Sequence, residues 1–185
     1  MVTLSLESII EHDLSKMRVL TQDDVEIMYA KHILFNHDEG GEKADFSGCR
    51  LTNLDMRHMQ FNGTDFTGAL LEGVRMNDAG LCFCTFRDAK LVGCNLNGAI
   101  AEESDFCGAT FTECKMRNGI FTHSNFAHTS FQDTDLWMSS FASCCTENSS
   151  IMDTETEGVN LSGTSEDEES WVNDSGIHIG GMGGM

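Results

Sequence analysis

Proline is absent from the whole 185-residue chain, while glycine reaches 18. That pairing excludes a proline-rich linker and points to many tight corners. Basic residues are scarce: 11 Lys and Arg stand against 30 Asp and Glu, a formal net charge of −19. Such a balance repels nucleic acid and anionic membranes and favours basic partners. No apolar run approaches the roughly 18 residues of a membrane span. The first residues carry Glu7, Glu11 and Asp13 where a signal peptide needs a basic flank and an apolar stretch. The expected location is therefore cytoplasmic, either in a bacterium or in the host cytoplasm of a phage-encoded protein.

Constellations that carry chemistry are missing too. His123 and His128 are five residues apart, and Cys82-Phe83-Cys84 and Cys144-Cys145 lack zinc-ligand spacing. The Gly-Gly pairs do not join a strand to a helix as a phosphate loop would. Acidic pairs such as Glu102-Glu103 and Asp133/Asp135 would need a cleft for acid–base work. The chain is read as a non-enzyme without cofactor or metal.

What the sequence does have is a period of five. Written in fives from Ala44, the third place is large and apolar in 21 of 24 repeats, from Phe46 to Leu161, with Ala101, Thr146 and Thr156 as exceptions. The first place is small almost throughout (Ala44, Cys49, Thr64, Ala69), with Leu54 and Met59 the bulky exceptions. This is neither a helical period nor a plain strand alternation. Two inward places in every five, with no insertion or deletion, describe a solenoid whose stacked units share one core. Five of the eight cysteines (Cys49, Cys84, Cys94, Cys114, Cys144) fall at the small inward place, where cysteine acts as a small hydrophobe. Cys94 and Cys114 would be ladder neighbours within reach of a disulfide, with reduced thiols the expected state in a cytoplasm.

The pattern Ala44-Asp45-Phe46, Ser104-Asp105-Phe106 and Thr134-Asp135-Leu136 resembles the pentapeptide-repeat family. The resemblance covers 44–163 and implies an all-β solenoid, a right-handed quadrilateral β-helix of about six coils. Each five then forms one face, and residues 20 apart stack. Ladders such as Phe46, Phe66, Phe86, Phe106 and Phe126, or Leu51, Leu71, Leu91, Phe111, Phe131 and Ile151, are expected to fill the core.

Three segments follow: 1–43 as an N-terminal helical cap, 44–163 as the β-helix, and 164–185 as an acidic, Gly/Met-rich tail. In the cap, Thr21 with Asp24 predicts a capping box, and 25–35 a short amphipathic helix ended by Gly40-Gly41. Its apolar face, with Ile27, Met28 and Leu34, is expected to plug the first coil. Trp171 in the tail is expected to fold back over the last coil, ahead of a flexible GGMGGM end. Leu20–Gly48 is similar to the helix-plus-Gly-Gly lead-in of pentapeptide proteins from phages and bacterial mobile elements.

Charge is distributed unevenly. Beyond Arg117 the last 68 residues hold eleven acids and no Lys or Arg. B-DNA carries one charge per ~1.7 Å of axis, and the C-terminal half with its tail approaches that density. Some members of the family are thought to mimic DNA and bind DNA gyrase. The resemblance thus implies a non-enzymatic DNA-mimic inhibitor of a bacterial DNA-handling protein. The target would be gyrase or another topoisomerase, or a host-defence complex countered by an anti-CRISPR activity. Its partner would be a basic DNA-binding protein of the host cell, with no direct contact to nucleic acid or membrane. The candidate acidic face is Asp105, Asp133, Asp135, Asp153, Glu155 and Glu157. Ile100 and Ile120, with Trp137 and Met138, are candidate apolar contacts for a partner or a homodimer. They also support an alternative reading, a passive scaffold or protein-interaction module.

Overall fold

A computed structural model describes residues 15–165 of the chain. The elements, in order, are strand β1 (Arg18–Leu20), helix α1 (Gln22–Asn36) and six short strands. These are β2 (Cys49–Thr52), β3 (Leu70–Glu72), β4 (Lys90–Val92), β5 (Thr110–Thr112), β6 (Ser130–Gln132) and β7 (Ser150–Met152). Neighbours in this order pair in parallel, giving one seven-stranded ladder whose register from β2 to β7 is 20 residues, as in Leu51↔Leu71 and Phe111↔Phe131.

Three further bridge columns share that register, through Asp55↔Arg75, Gln60↔Gly80 and Asp45↔Asp65. The result is a four-sided parallel β-solenoid. We number its faces from the ladder: first (Arg50 to Ser150), second (Asp55 to Glu155), third (Gln60 to Asn160) and fourth (Asp45 to Ser165).

The corners explain the period. All 24 fifth-place residues, from Gly48 to Gly163, have φ between 48° and 76°. Glycine occupies nine of these left-handed positions at no steric cost, and Asn and Asp are the side chains that best tolerate the rest. Phe83 and Met138 adopt the same backbone at φ 59° and 57°.

Inside, third-place rings stack. Phe46, Phe66, Phe86, Phe106 and Phe126 form one column with centroid separations of 4.8, 4.4, 4.9 and 4.6 Å. First-place polar groups in the middle coils are satisfied by a repeated bond. Ser104 Oγ, Ser124 Oγ and Thr129 Oγ1 donate to third-place carbonyls 23 residues earlier, Leu81, Ala101 and Phe106, at 2.8, 2.9 and 3.0 Å. Ser139 and Ser149 donate instead to the carbonyls of Leu136 and Thr146, three residues earlier.

Thr64 is buried with its hydroxyl unsatisfied. Twenty-three residues before it lies Gly41, outside the coils. Thr64→Val keeps the shape and removes the unpaired hydroxyl. It is expected to stabilise the fold by about 1 kcal/mol in urea denaturation; a loss of stability would contradict this account.

The N-terminal end is closed by β1 and α1. Thr21 caps the helix through the reciprocal Thr21/Asp24 box, so α1 begins at Gln22, earlier than the amphipathic pattern from Val25 suggests. The predicted plugging face is corrected: Ile27 and Leu34 are exposed. Val25 and His32 are buried instead, with Met28 and Tyr29 packed on the core. This i, i+3, i+4, i+7 stripe is the true apolar face, with a histidine at its end. Leu54 and Met59 are bulky because the turn below them is this helix rather than another coil. Strand β1 was not expected in a helical cap. It sets Leu20 against Leu51, extending the ladder by one layer.

His32 seals the junction. The Ala44 N–H donates to its Nδ1 at 3.2 Å, and its ring lies against Phe61. Burial pushes its pKa below the ordinary 6.5, with the backbone of Asn62 opposing and Lys43 assisting. A proton on Nδ1 would displace the Ala44 bond. Unfolded His32 takes up its proton near pH 6.5, whereas the folded residue resists it. The cap's stability is therefore fully present above pH 6.5 and lost as pH falls through the folded value. Thermal unfolding on either side of pH 6.5 should show this loss, and His32→Gln should reduce it.

At the other end, Thr156, Val159 and Leu161 are only partly buried, with no further described coil above them. The predicted fold-back of Trp171, and the tail from residue 166 on, lie outside the described residues.

Candidate protein-binding surface

Outward positions are the second, fourth and fifth places, and their roles differ. A second-place Asp or Asn accepts from the backbone N–H two residues on. Asp45 takes Ser47, Asp65 takes Thr67, Asn95 takes Asn97 and Asn125 takes Ala127. This side chain closes the turn of each face. Among the predicted acidic residues, Asp105, Asp135 and Glu155 do the same for Cys107, Trp137 and Glu157.

The six predicted acids do not share a face. Asp105 stands apart on the fourth face, bound by Arg87 at 2.7 Å and by Asn125. Asp133 and Asp153 are fifth-place residues of the first face, while Asp135, Glu155 and Glu157 belong to the second. The latter five nevertheless converge, because the first and second faces meet at a corner where only Thr134 or Thr154 separates them.

One corner residue went unrecognised in the sequence: Glu113, one coil below Asp133. The fifth-place column therefore reads Asn53, Gly73, Gly93, Glu113, Asp133, Asp153, neutral in the lower three coils and acidic in the upper three. Its signal was the 20-residue spacing. Asp135, beside this column, is neutralised by Arg117.

Lower on the second face, Arg57 and Arg75 both pair with Asp55, at 2.7 and 3.0 Å. The Arg57 hydrogen bond is the main cause that brings Asp55 down to about 2. The bases of this face are thus largely answered by acids of the same face.

The predicted apolar residues also separate. Ile100 and Ile120 bridge one another on the third face, 41% and 38% exposed. Trp137 and Met138 are on the second face, where Arg117 Cζ lies 5.9 Å from the indole centre. His123 and His128 are exposed on different corners.

The cysteines are more than small hydrophobes. Sγ of Cys84, Cys94, Cys114 and Cys144 donates to the carbonyl 23 residues earlier, at 3.1, 3.4, 3.4 and 3.0 Å. Cys94 and Cys114 stack as ladder neighbours and are free thiols. Burial pushes Cys84 up to about 12 and Cys144 to about 11. Cys94 is pushed up too, by its contact with Cys114 and then by burial. Only half-buried Cys82, Cys107 and Cys145 should react with an alkylating reagent in the native protein, the other five thiols requiring denaturation. Peptide mapping after labelling checks this, and early modification of Cys94 or Cys114 would refute it.

Among the described residues, no group of three or more His, Cys, Asp or Glu side chains is placed to hold a metal. No described helix is long and apolar enough to cross a membrane. The depressions are open grooves, one lined by Glu103, Ser104, Asp105, His123 and Asn125.

The sequence profile described as "Pentapeptide repeats" matches in eight copies, over residues 42–78, 81–122 and 104–137. Similar solved structures include a pentapeptide repeat protein of the Arabidopsis thaliana thylakoid lumen, 22% identical. The match covers 55% of this chain and 67% of that one, with a TM-score of 0.32. QnrB1, a plasmid-mediated fluoroquinolone resistance protein, is 16% identical over 71% of this chain and 70% of its own, TM-score 0.31. HetL, involved in heterocyst differentiation regulation in the cyanobacterium Nostoc, is 14% identical over 95% of this chain and 100% of its own, TM-score 0.25. No curated protein sequence matches the chain.

Proposed function

Since the chain belongs to the pentapeptide-repeat family, we propose that it is a non-enzymatic inhibitor that occupies the DNA-binding groove of a bacterial DNA-handling protein. The observation that carries this reading is the acidic corner between the first and second faces. Glu113, Asp133 and Asp153 rise one coil apart, with Asp135, Glu155 and Glu157 beside the upper two. The left-handed backbone alone does not require these acids, because Asn53, Gly73 and Gly93 serve the same column lower down.

Both columns carry carboxylates in the upper two coils, while Lys115 beside Glu113 and Arg117 on Asp135 keep the net density below the one charge per ~1.7 Å of B-DNA. A basic groove that pairs with phosphates accepts carboxylates so arrayed. Gyrase or another topoisomerase, and a nuclease complex of host defence such as a CRISPR effector, are the target classes. The second of these fits the phage-like lead-in segment, which would make the protein a counter-defence factor.

Affinity capture from bacterial lysate, with and without excess duplex DNA, tests the proposal. A nucleic-acid-binding protein that is captured, and released by both DNA and salt, supports it. A partner indifferent to DNA and salt would overturn it and favour a scaffold that binds through apolar residues.

A further inference from the structure

The third face is the least charged side of the solenoid, and its second-place column is nearly symmetric about its own middle. Its eighteen outward positions carry two acids, Glu102 and Glu103, and no Lys or Arg, whereas the second face carries nine charged residues. In a chain of net charge −19 such a face is set apart from a merely solvated surface. Its second-place column reads Gln60, Gly80, Ile100, Ile120, Ser140, Asn160. Outward from the centre, each direction gives isoleucine, a small residue, then an amide. Ile100 and Ile120 form that centre, half-exposed in the third and fourth of six coils. Glu102 does not stand clear of the face, because Thr122 Oγ1 donates to it at 2.8 Å.

We propose that a second copy of this chain packs on the third face with its solenoid axis reversed. A twofold axis along the strand direction, between the coils of Ile100 and Ile120, sets Ile100 on the second copy's Ile120. It also sets Gly80 on Ser140 and Gln60 on Asn160. The same axis keeps each column over itself, so Glu103 meets a histidine, His123, and Cys82 meets Ala142. A parallel pairing would reverse the columns, place Ile100 against Glu103 and bury an unanswered carboxylate. Only the antiparallel arrangement makes the face complementary to itself.

Six layers about 4.8 Å apart and a face roughly 14 Å wide bury on the order of 1,000 Å² in total, the lower limit of a specific interface. The dimer is therefore reversible and concentration-dependent. The acidic corner points away from this seam, so the inference stands apart from the proposed function.

Ala142→Cys tests it with one added thiol. In the antiparallel dimer that thiol faces native Cys82 of the second copy. Within one chain the two positions are three coils apart, on the order of 14 Å, beyond disulfide reach. Mild oxidation at about 100 µM, a concentration suited to a micromolar dimer, is expected to give a covalent dimer joining Cys82 to position 142. The wild-type chain should not form this link. Sedimentation of the wild type should show a monomer–dimer equilibrium. Ile120→Lys should weaken it by about a hundredfold, with circular dichroism verifying that the variant is folded. A wild type that stays monomeric at that concentration, an Ala142→Cys variant that does not cross-link, or a link through another cysteine would each overturn the proposal.

Discussion

Phe106→Ala is expected to cost about 3–5 kcal/mol of stability, the upper range for loss of a buried aromatic. Phe106 is fully buried, with Phe86 stacked at 4.9 Å on one side and Phe126 at 4.6 Å on the other. The rings of Phe111 and Phe121 approach it at 6.0 and 6.1 Å. The cost depends on how far the surroundings can collapse into the cavity, and here they can collapse little. The coils on either side are held by backbone bonds such as Phe106 N–H to the Asn125 carbonyl, 2.7 Å, and Asp105 N–H to the Cys84 carbonyl, 2.9 Å. Closing the gap would require breaking these.

Position along the column adds a second expectation. Phe46, at the cap end, stacks on one ring of its column, Phe66, and meets Phe61 edge-on. Phe46→Ala should cost less than Phe106→Ala, because the helix above it can shift without uncoupling two halves of the solenoid. Coils touch only their neighbours, so a cavity in the middle weakens the link between halves. Urea denaturation should then show a reduced slope as well as an earlier midpoint for Phe106→Ala. A loss below about 1.5 kcal/mol would mean that the column repacks as a fluid core does, contrary to this account.

The fold was legible because its period is local. Phe46, Phe66 and Phe86 are separated by multiples of five, and glycine or a side chain that tolerates a left-handed corner recurs at most fifth places. Family, four-sided solenoid, helical lead-in and the Thr21/Asp24 cap all follow from such short-range signals. The cap's docking face did not. Ile27 and Leu34 are as apolar as Val25 and Met28, and only the placement of α1 over the Phe61 side of the first coil turns His32 inward. Strand β1 escaped notice because three residues joining an existing ladder carry no period of their own.

The acidic surface was legible in number but not in arrangement. Charge counted along the chain groups Asp105 with Asp133, whereas the 20-residue register puts them on different faces and brings Glu113 under Asp133 instead. Likewise, a cysteine at a small inward place looks like any small hydrophobe. Its bond to a carbonyl 23 residues back exists only once the coils are stacked. That bond explains why Ser, Thr and Cys share the place with Ala, and why Thr64, with no coil beneath it, is left unpaired.

The largest functional effect is expected from neutralising the acidic corner. Asn for Asp133, Asp135 and Asp153, with Gln for Glu155 and Glu157, removes five negative charges, of which that of Asp135 is already paired with Arg117. It should weaken binding to the target by about a hundredfold or more, at roughly 0.5–1 kcal/mol per charge and 1.4 kcal/mol per tenfold. The amides preserve the fold: Asn95, Asn125 and Asn160 already close the second-place turn through Oδ1. Asn53 and Asn118 already adopt the left-handed corner at φ 55° and 54°. Loss of binding would therefore report charge rather than shape.

Two controls separate the corner from net charge. Asp105→Asn should change binding little, because Arg87 already neutralises that carboxylate. Neutralising Asp45 and Asp65 on the fourth face, at the opposite end, should do the same. The salt dependence of affinity, measured alongside, should flatten in the corner variant and not in the controls. If all the variants bind equally and keep the same salt slope, the carboxylates of this corner serve its turns and its solubility, and the inhibitor acts through another surface. If only the corner variant loses both affinity and salt slope, the column from Glu113 to Asp153 and its neighbours are the surface that the target reads in place of phosphates.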